Sequence, residues 1–95
     1  MGRLRIVWSK VALQAYYNQA LWYRINKGEQ FVQSFIQSIH ATIEKIVNMP
    51  TIGRPEQGKN GKPYRSLPAH PKCRIYYWYN ERTLHITGLR FTLMQ

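Results

Sequence analysis

Aspartate does not occur in this chain, and its four carboxylate side chains, Glu29, Glu44, Glu56 and Glu81, are scattered. That distribution gives no adjacent acidic pair for two-carboxylate acid–base chemistry. Cysteine occurs once, at Cys73, which excludes an internal disulfide and a cysteine-rich zinc site. A lone thiol suits a reducing compartment, so a cytoplasmic protein is expected. No apolar run approaches the ~20 residues of a membrane span, and no membrane partner is expected. The opening Met1-Gly2-Arg3-Leu4-Arg5-Ile6-Val7-Trp8-Ser9 is basic but lacks the apolar stretch of a secretion signal. Internal repeats and low-complexity tracts are also missing. No His, Cys or Glu cluster has metal-ligand spacing, so neither a metal nor a cofactor is expected.

What the chain does have is positive charge. Fourteen Lys and Arg against 4 acidic residues give +10 over 95 residues. Self-repulsion on that scale works against the compact state, which points to a functional positive surface for a polyanion or an acidic protein. The length fits one domain, residues 1–95, with a single modest core.

Leu4, Ile6 and Trp8 alternate with Arg5 and Val7, the pattern of a short strand. Ser9 is a natural N-cap for a helix from Lys10 to about Lys27. Val11, Ala15, Trp22 and Ile25 form one apolar stripe on that helix, taken as the core-facing one. Leu13, Tyr17 and Leu21 form a second stripe about a third of a turn away, open to two readings: more core, or a docking surface for another chain. Gly28 suits a helix end with positive φ. Glu29 then opens a second helix, where its charge complements the dipole. Val32, Phe35, Ile36, Ile39, Ile43, Ile46 and Val47 keep the helical period until Pro50 stops it. Pro50 to Pro63 reads as a loop carrying Arg54, Lys59 and Lys62. Tyr64 to Leu67, Cys73 to Tyr79 and Thr83 to Leu89 read as strands, the last two joined by a turn at Asn80-Glu81-Arg82. The expected fold is α+β in the order β-α-α-β-β-β, with a helical hairpin on one face of a small, curved, mostly antiparallel sheet.

Strand alternation predicts which residues line the uncovered face. Ile75 faces the helices, so Arg74, Tyr76 and Trp78 point away. Leu84 and Ile86 point inward and His85 and Thr87 outward; a bulge at Gly88 flips the parity and brings Arg90 beside His85. Arg65 is expected to join them from the neighbouring strand. Arginines grip phosphate bidentately and aromatic rings stack on bases, so the patch suits RNA or DNA; an acidic protein segment suits it as well. No strong catalytic motif is present. His40 reads as a helix-surface or core-edge residue. His70 reads as either a proton donor or a plain loop residue, and Cys73 as a small apolar one.

The signatures Met49-Pro50-Thr51-Ile52-Gly53-Arg54-Pro55, Tyr64-Arg65-Ser66-Leu67-Pro68, Arg74-Ile75-Tyr76-Tyr77 and Leu84-His85-Ile86-Thr87-Gly88-Leu89-Arg90 follow one another in this order. Their order behind a strand and helical hairpin resembles the RelE/ParE family of toxins from bacterial type II toxin–antitoxin systems, over nearly the whole chain. The individual signatures look most like the ParE branch. The resemblance implies growth inhibition, plasmid stabilisation and neutralisation by a cognate acidic antitoxin, with Leu13, Tyr17 and Leu21 as its candidate contacts. It implies that operator DNA is met only through the antitoxin complex. ParE-like members resemble inhibitors of DNA gyrase that act by binding; Arg54, Lys59, Lys62, Arg65, Arg74, Tyr76, Trp78 and Arg90 are then the candidate target contacts. RelE-like members cleave messenger RNA on the ribosome. By motif position Arg65, Arg74 and Arg90 would then hold the phosphate, with His85 moving protons. The chain departs from that branch at its end, since Phe91-Thr92-Leu93-Met94-Gln95 offers neither Tyr nor His. A third alternative is a non-toxic domain that only binds antitoxin or nucleic acid. The ParE-like reading is the expectation carried forward.

Overall fold

The computed structural model describes residues 3–57, 63–69 and 72–91. In chain order these form β1 (Arg5–Trp8), α1 (Lys10–Lys27), α2 (Glu29–Asn48), a 3-10 turn (Pro50–Ile52), β2 (Arg54–Gln57), β3 (Pro63–Pro68), β4 (Cys73–Tyr79) and β5 (Thr83–Phe91). One sheet takes the order β1-β5-β4-β3-β2. β1 runs parallel to β5, and every other pairing is antiparallel. The expected α+β architecture is therefore present, with one addition. The stretch after Pro50, expected to be loop, contains the 3-10 turn and an edge strand. Pro55 removes a ladder donor there, which a sheet edge tolerates. Pairing with β3 supplies the order that the local sequence does not signal.

Ser9 holds the first turn of α1. Its Oγ accepts from Ala12 N at 3.0 Å and donates to Thr87 O at 3.1 Å, so a single hydroxyl caps the helix and ties it to β5. Gly28 joins the helices at φ 97°, a backbone geometry that L side chains rarely adopt. α2 is amphipathic as expected. Val32, Phe35, Ile39, Ile43, Ile46 and Val47 are buried, and Ile36 is partly so.

α1 corrects the expectation. Val11, Trp22 and Ile25 of the stripe taken as core are exposed at 73%, 41% and 72%, and Ala15 is half-buried. The helix faces the core with Ala12, Tyr16, Ala20 and Tyr23 instead. The physical reason is aromatic packing. Tyr16 sits 5.3 Å from Trp8 and 5.8 Å from Phe35, while Tyr23 sits 4.7 Å from Phe31 and 5.1 Å from Phe35. Two large rings separated by alanines bury more area than the aliphatic stripe offers, and alanine lets the helix lie close. Burial pushes the Tyr23 hydroxyl pKa up, a hydrogen bond with Gln19 opposing.

The 3-10 turn is fastened by Tyr77, whose ring is fully buried. Its hydroxyl donates to Pro50 O at 2.6 Å and accepts from Gly53 N at 3.0 Å. A Cβ on Gly53 would lie 2.6 Å from that hydroxyl and 2.9 Å from Ser66 O. Arg65 completes the fastening, and here too the sequence expectation is corrected. Arg65 pairs with Tyr77 across β3 and β4, so it shares the face of Tyr77, not that of Arg74. Leu67 pairs with Ile75 and is packed against the core, and the two-residue period forces Arg65 to the same side. Its Nη1 donates to Thr51 O at 3.2 Å and Gly53 O at 2.8 Å.

Two substitutions test this corner. Gly53→Ala should destabilise the fold by about 2 kcal/mol through overpacking, which thermal melting would register as a fall of roughly 10 °C for a domain this size. Arg65→Ala should cost about 1–2 kcal/mol by leaving two carbonyls without their charged donor. Arg74→Ala, on the other face, should melt close to the parent.

Candidate functional site

Five strands covered by helices on one side leave the other side open, and strand register decides what lies there. Trp78 pairs with His85, Tyr76 with Gly88 and Arg74 with Arg90. The register shifts between Tyr76 and Tyr77, since Tyr77 pairs with Ile86. Thr87 is thus the extra residue of a bulge, one position before the glycine expected to form it. The parity flips as expected. Leu84, Ile86, Ile75 and Tyr77 are buried on the helix side, while His85 and Arg90 both reach the open face. Thr87 Oγ1 donates to Tyr76 O at 3.2 Å, which satisfies a carbonyl beside the irregularity.

The open face has two parts. At one end Trp78 and His85 lie flat on each other, with centroids 4.0 Å apart and planes 4° from parallel. His85 Nε2 is 2.9 Å from Thr83 Oγ1, and Val7 of β1 is its register partner on the other side. At the other end, four residues along β4 and five along the bulged β5, Arg74 and Arg90 stand opposite each other, with the Arg90 guanidinium 5.9 Å from the Tyr76 ring centroid. Like charges directly across a strand pair repel, so the pair is an attractor for an anion. Four residues of strand is about 13 Å, so His85 is not placed to share a phosphate with Arg74 and Arg90.

Edge strand β2 contributes a further group to this face. Arg54 pairs with Ser66 and Glu56 with Tyr64, which puts both on the open face. Glu56 Oε2 accepts from Arg54 Nε at 2.7 Å and from Ser66 Oγ at 2.5 Å, and Ser66 Oγ in turn accepts from Arg74 Nη1 at 2.7 Å. The Ser66 hydroxyl first, then the Arg54 guanidinium, hold the Glu56 carboxyl below the usual carboxylate range. The signal for this group was present in Gly53-Arg54-Pro55-Glu56, but without β2 nothing placed Glu56 against Ser66.

Among the expected site residues the structure thus gathers Arg54, Arg74, Tyr76, Trp78, His85 and Arg90 on one face and removes Arg65 from it. Lys59, Lys62 and His70 lie outside the described residues, as do residues 92–95. His40 is exposed, with Nε2 3.4 Å from the Tyr16 hydroxyl. Burial pushes the Cys73 thiol up to about 12, so it stays protonated and inert. Leu13, Tyr17 and Leu21, the candidate docking stripe, are exposed at 36%, 60% and 55%. Beside the other stripe runs a shallow depression lined by Lys10, Val11, Gln14, Ala15 and Asn18. Among the described residues no cluster of three His, Cys, Asp or Glu could hold a metal ion, and no helix is long and apolar enough to cross a membrane.

Comparison with known proteins places this geometry. The chain from residue 6 to residue 91 matches the family model described as ParE toxin of type II toxin-antitoxin system, parDE. No curated protein matches the chain. Among solved structures, a chain of the chromosomal ParDE toxin–antitoxin system from P. aeruginosa superposes with a TM-score of 0.75 at 11% identity, over 96% of this chain and 98% of that one. The YoeB/ParE toxin from Agrobacterium tumefaciens follows at 0.67 and 17%, covering 95% and 100%. A chain of the E. coli DinJ-YafQ toxin-antitoxin complex gives 0.63 and 14%, covering 95% and 93%. At such identities these likenesses show the fold. The family match extends over nearly the whole chain, and the protein belongs to the ParE toxin family of type II toxin–antitoxin systems.

Proposed function

We propose that this toxin acts by binding, not by chemistry, and that its target is DNA gyrase held in its cleaved-DNA state. The observation that carries the reading is the Arg74–Arg90 pair with the Tyr76 ring beside it: two cations and a ring that can hold an anion without chemistry of their own. Arginine itself is a poor proton shuttle. Trp78 and the His85 ring stacked on it extend the surface with flat aromatic area. Removing one charged contact from such a surface costs about 1.5–3 kcal/mol, or roughly ten- to a hundredfold in potency. Arg74→Ala and Arg90→Ala should each raise by that factor the concentration that inhibits supercoiling by purified gyrase. His85→Ala should stay within about threefold of the parent, since it removes no charge–charge contact. Undiminished translation with early loss of DNA synthesis after induction would agree. Full toxicity with supercoiling untouched would refute the gyrase reading.

A ribosome-dependent ribonuclease is the second reading, favoured by the Glu56 carboxylate on the same face as Arg74. Its hydrogen bonds keep it ionised at low pH and make it a weak base. Cleavage of ribosome-bound messenger by the parent, abolished in Glu56→Gln, would establish it in place of the first.

Neutralisation is assigned to an acidic antitoxin, drawn by the +10 charge and seated on Leu13, Tyr17 and Leu21. Operator DNA is reached through that complex. A charge placed in the centre of the contact should weaken the complex by about 2 kcal/mol or more. Titration calorimetry should therefore show Tyr17→Glu and Leu21→Glu losing at least about thirtyfold in affinity, with Val11→Glu and Ile25→Glu near the parent. The reverse ranking would move the antitoxin to the other stripe.

A further inference from the structure

Glu56 is the one carboxylate on the open face among the described residues. It is held by donors that would equally suit an external anion. Arg54 reaches its Oε2 directly, and Arg74 reaches it through the Ser66 hydroxyl. Ser66 is fully buried and the Glu56 side chain only 24% exposed, so the carboxylate is seated against the sheet and is not a chance surface pairing. Each donor polarises the next, which strengthens the chain as a whole. One arginine and a hydroxyl on the oxyanion, with a second arginine behind the hydroxyl, make a donor set that a phosphate can also use. The seat also adjoins the half-buried ring of Tyr76, which pairs with Ser66 across β3 and β4. Charge beside partly exposed rings is the makeup of a single-strand nucleic-acid surface.

We propose that Arg54, Ser66 and Arg74 form a phosphate site for a polynucleotide chain, and that Glu56 fills it from within as a built-in competitor. An incoming phosphate has to displace this carboxylate, so Glu56 sets how tightly the open face holds nucleic acid. Edge strand β2 carries Glu56 on a short pairing with β3. The proposal rests on the open face being the binding face, and not on gyrase being the target.

The test is fluorescence-anisotropy titration of a labelled single-stranded oligonucleotide with the full chain, over a series of salt concentrations. Glu56→Gln and Glu81→Gln each remove one negative charge, the second from the exposed turn between β4 and β5. Glu56→Gln should tighten binding about tenfold and steepen the salt dependence by about 0.7 for each arginine released. Glu81→Gln should shift affinity by less than about twofold, as a remote charge screened by salt does. The gain should vanish in the double variant Glu56→Gln, Arg74→Ala. Competition by millimolar inorganic phosphate would mark a site for the phosphate group itself, and competition by oligonucleotide alone would mark a site for the diester in its chain; either upholds the proposal. Glu56→Ala, read in the same way, guards against a misfolded glutamine variant. Equal effects at positions 56 and 81, weaker binding by both Glu56 variants, or a gain seen only with an acidic peptide would overturn it. Supercoiling left unaffected by the parent, with the oligonucleotide ranking intact, would overturn the gyrase reading alone.

Discussion

The hydroxyl of Ser9 is the point on which the arrangement depends. It accepts from Ala12 N and donates to Thr87 O, so it fixes the start of α1 against the bulge in β5. The bulge is what allows one strand to bury Leu84 and Ile86 and then keep Leu89 on the core side, while His85 and Arg90 both look outward. Without the extra residue, strict alternation would send Arg90 into the core and Leu89 into solvent. The helix cap and the outward placement of Arg90 are therefore joined by one side chain.

The same parity sorts the arginines into two kinds. Arg65 falls on the helix side and spends its guanidinium on the carbonyls of Thr51 and Gly53, where Tyr77 and Gly53 already close the corner. Arg54, Arg74 and Arg90 fall on the open side. Of the four glutamates, Glu29 and Glu44 pair with Arg24 and Arg3, away from that face, and Glu56 enters it. Among the described residues the open face thus sets three arginines against the single carboxylate of Glu56, a local positive excess within a chain that is basic throughout.

α1 is apolar on more than one side, and for a reason visible only in its packing. Tyrosines and alanines satisfy the core, which leaves two aliphatic and aromatic stripes on the outside. Exposed apolar surface of this extent signals contact with another chain. The chain belongs to a family of toxins of type II toxin–antitoxin systems, and the proposed antitoxin contact is placed on this surface.

Much was legible in the sequence because its signals are local. Ser9 and Gly28 bound the first helix, the apolar period of α2 ran unbroken from Val32 to Val47, and alternation in Cys73 to Tyr79 put Arg74, Tyr76 and Trp78 on one side. The charge, the absence of a catalytic motif and the order of signatures also belong to the sequence by itself. The tertiary structure alone decided which face of α1 is core, that Arg54–Gln57 is a strand, which way Arg65 points and what Glu56 touches. Each of these depends on a partner distant in the chain: Phe35 for Tyr16 and Tyr23, β3 for β2, Leu67 against Ile75 for Arg65, and Ser66 for Glu56. Periodicity reports which residues share a face; only packing determines what that face meets.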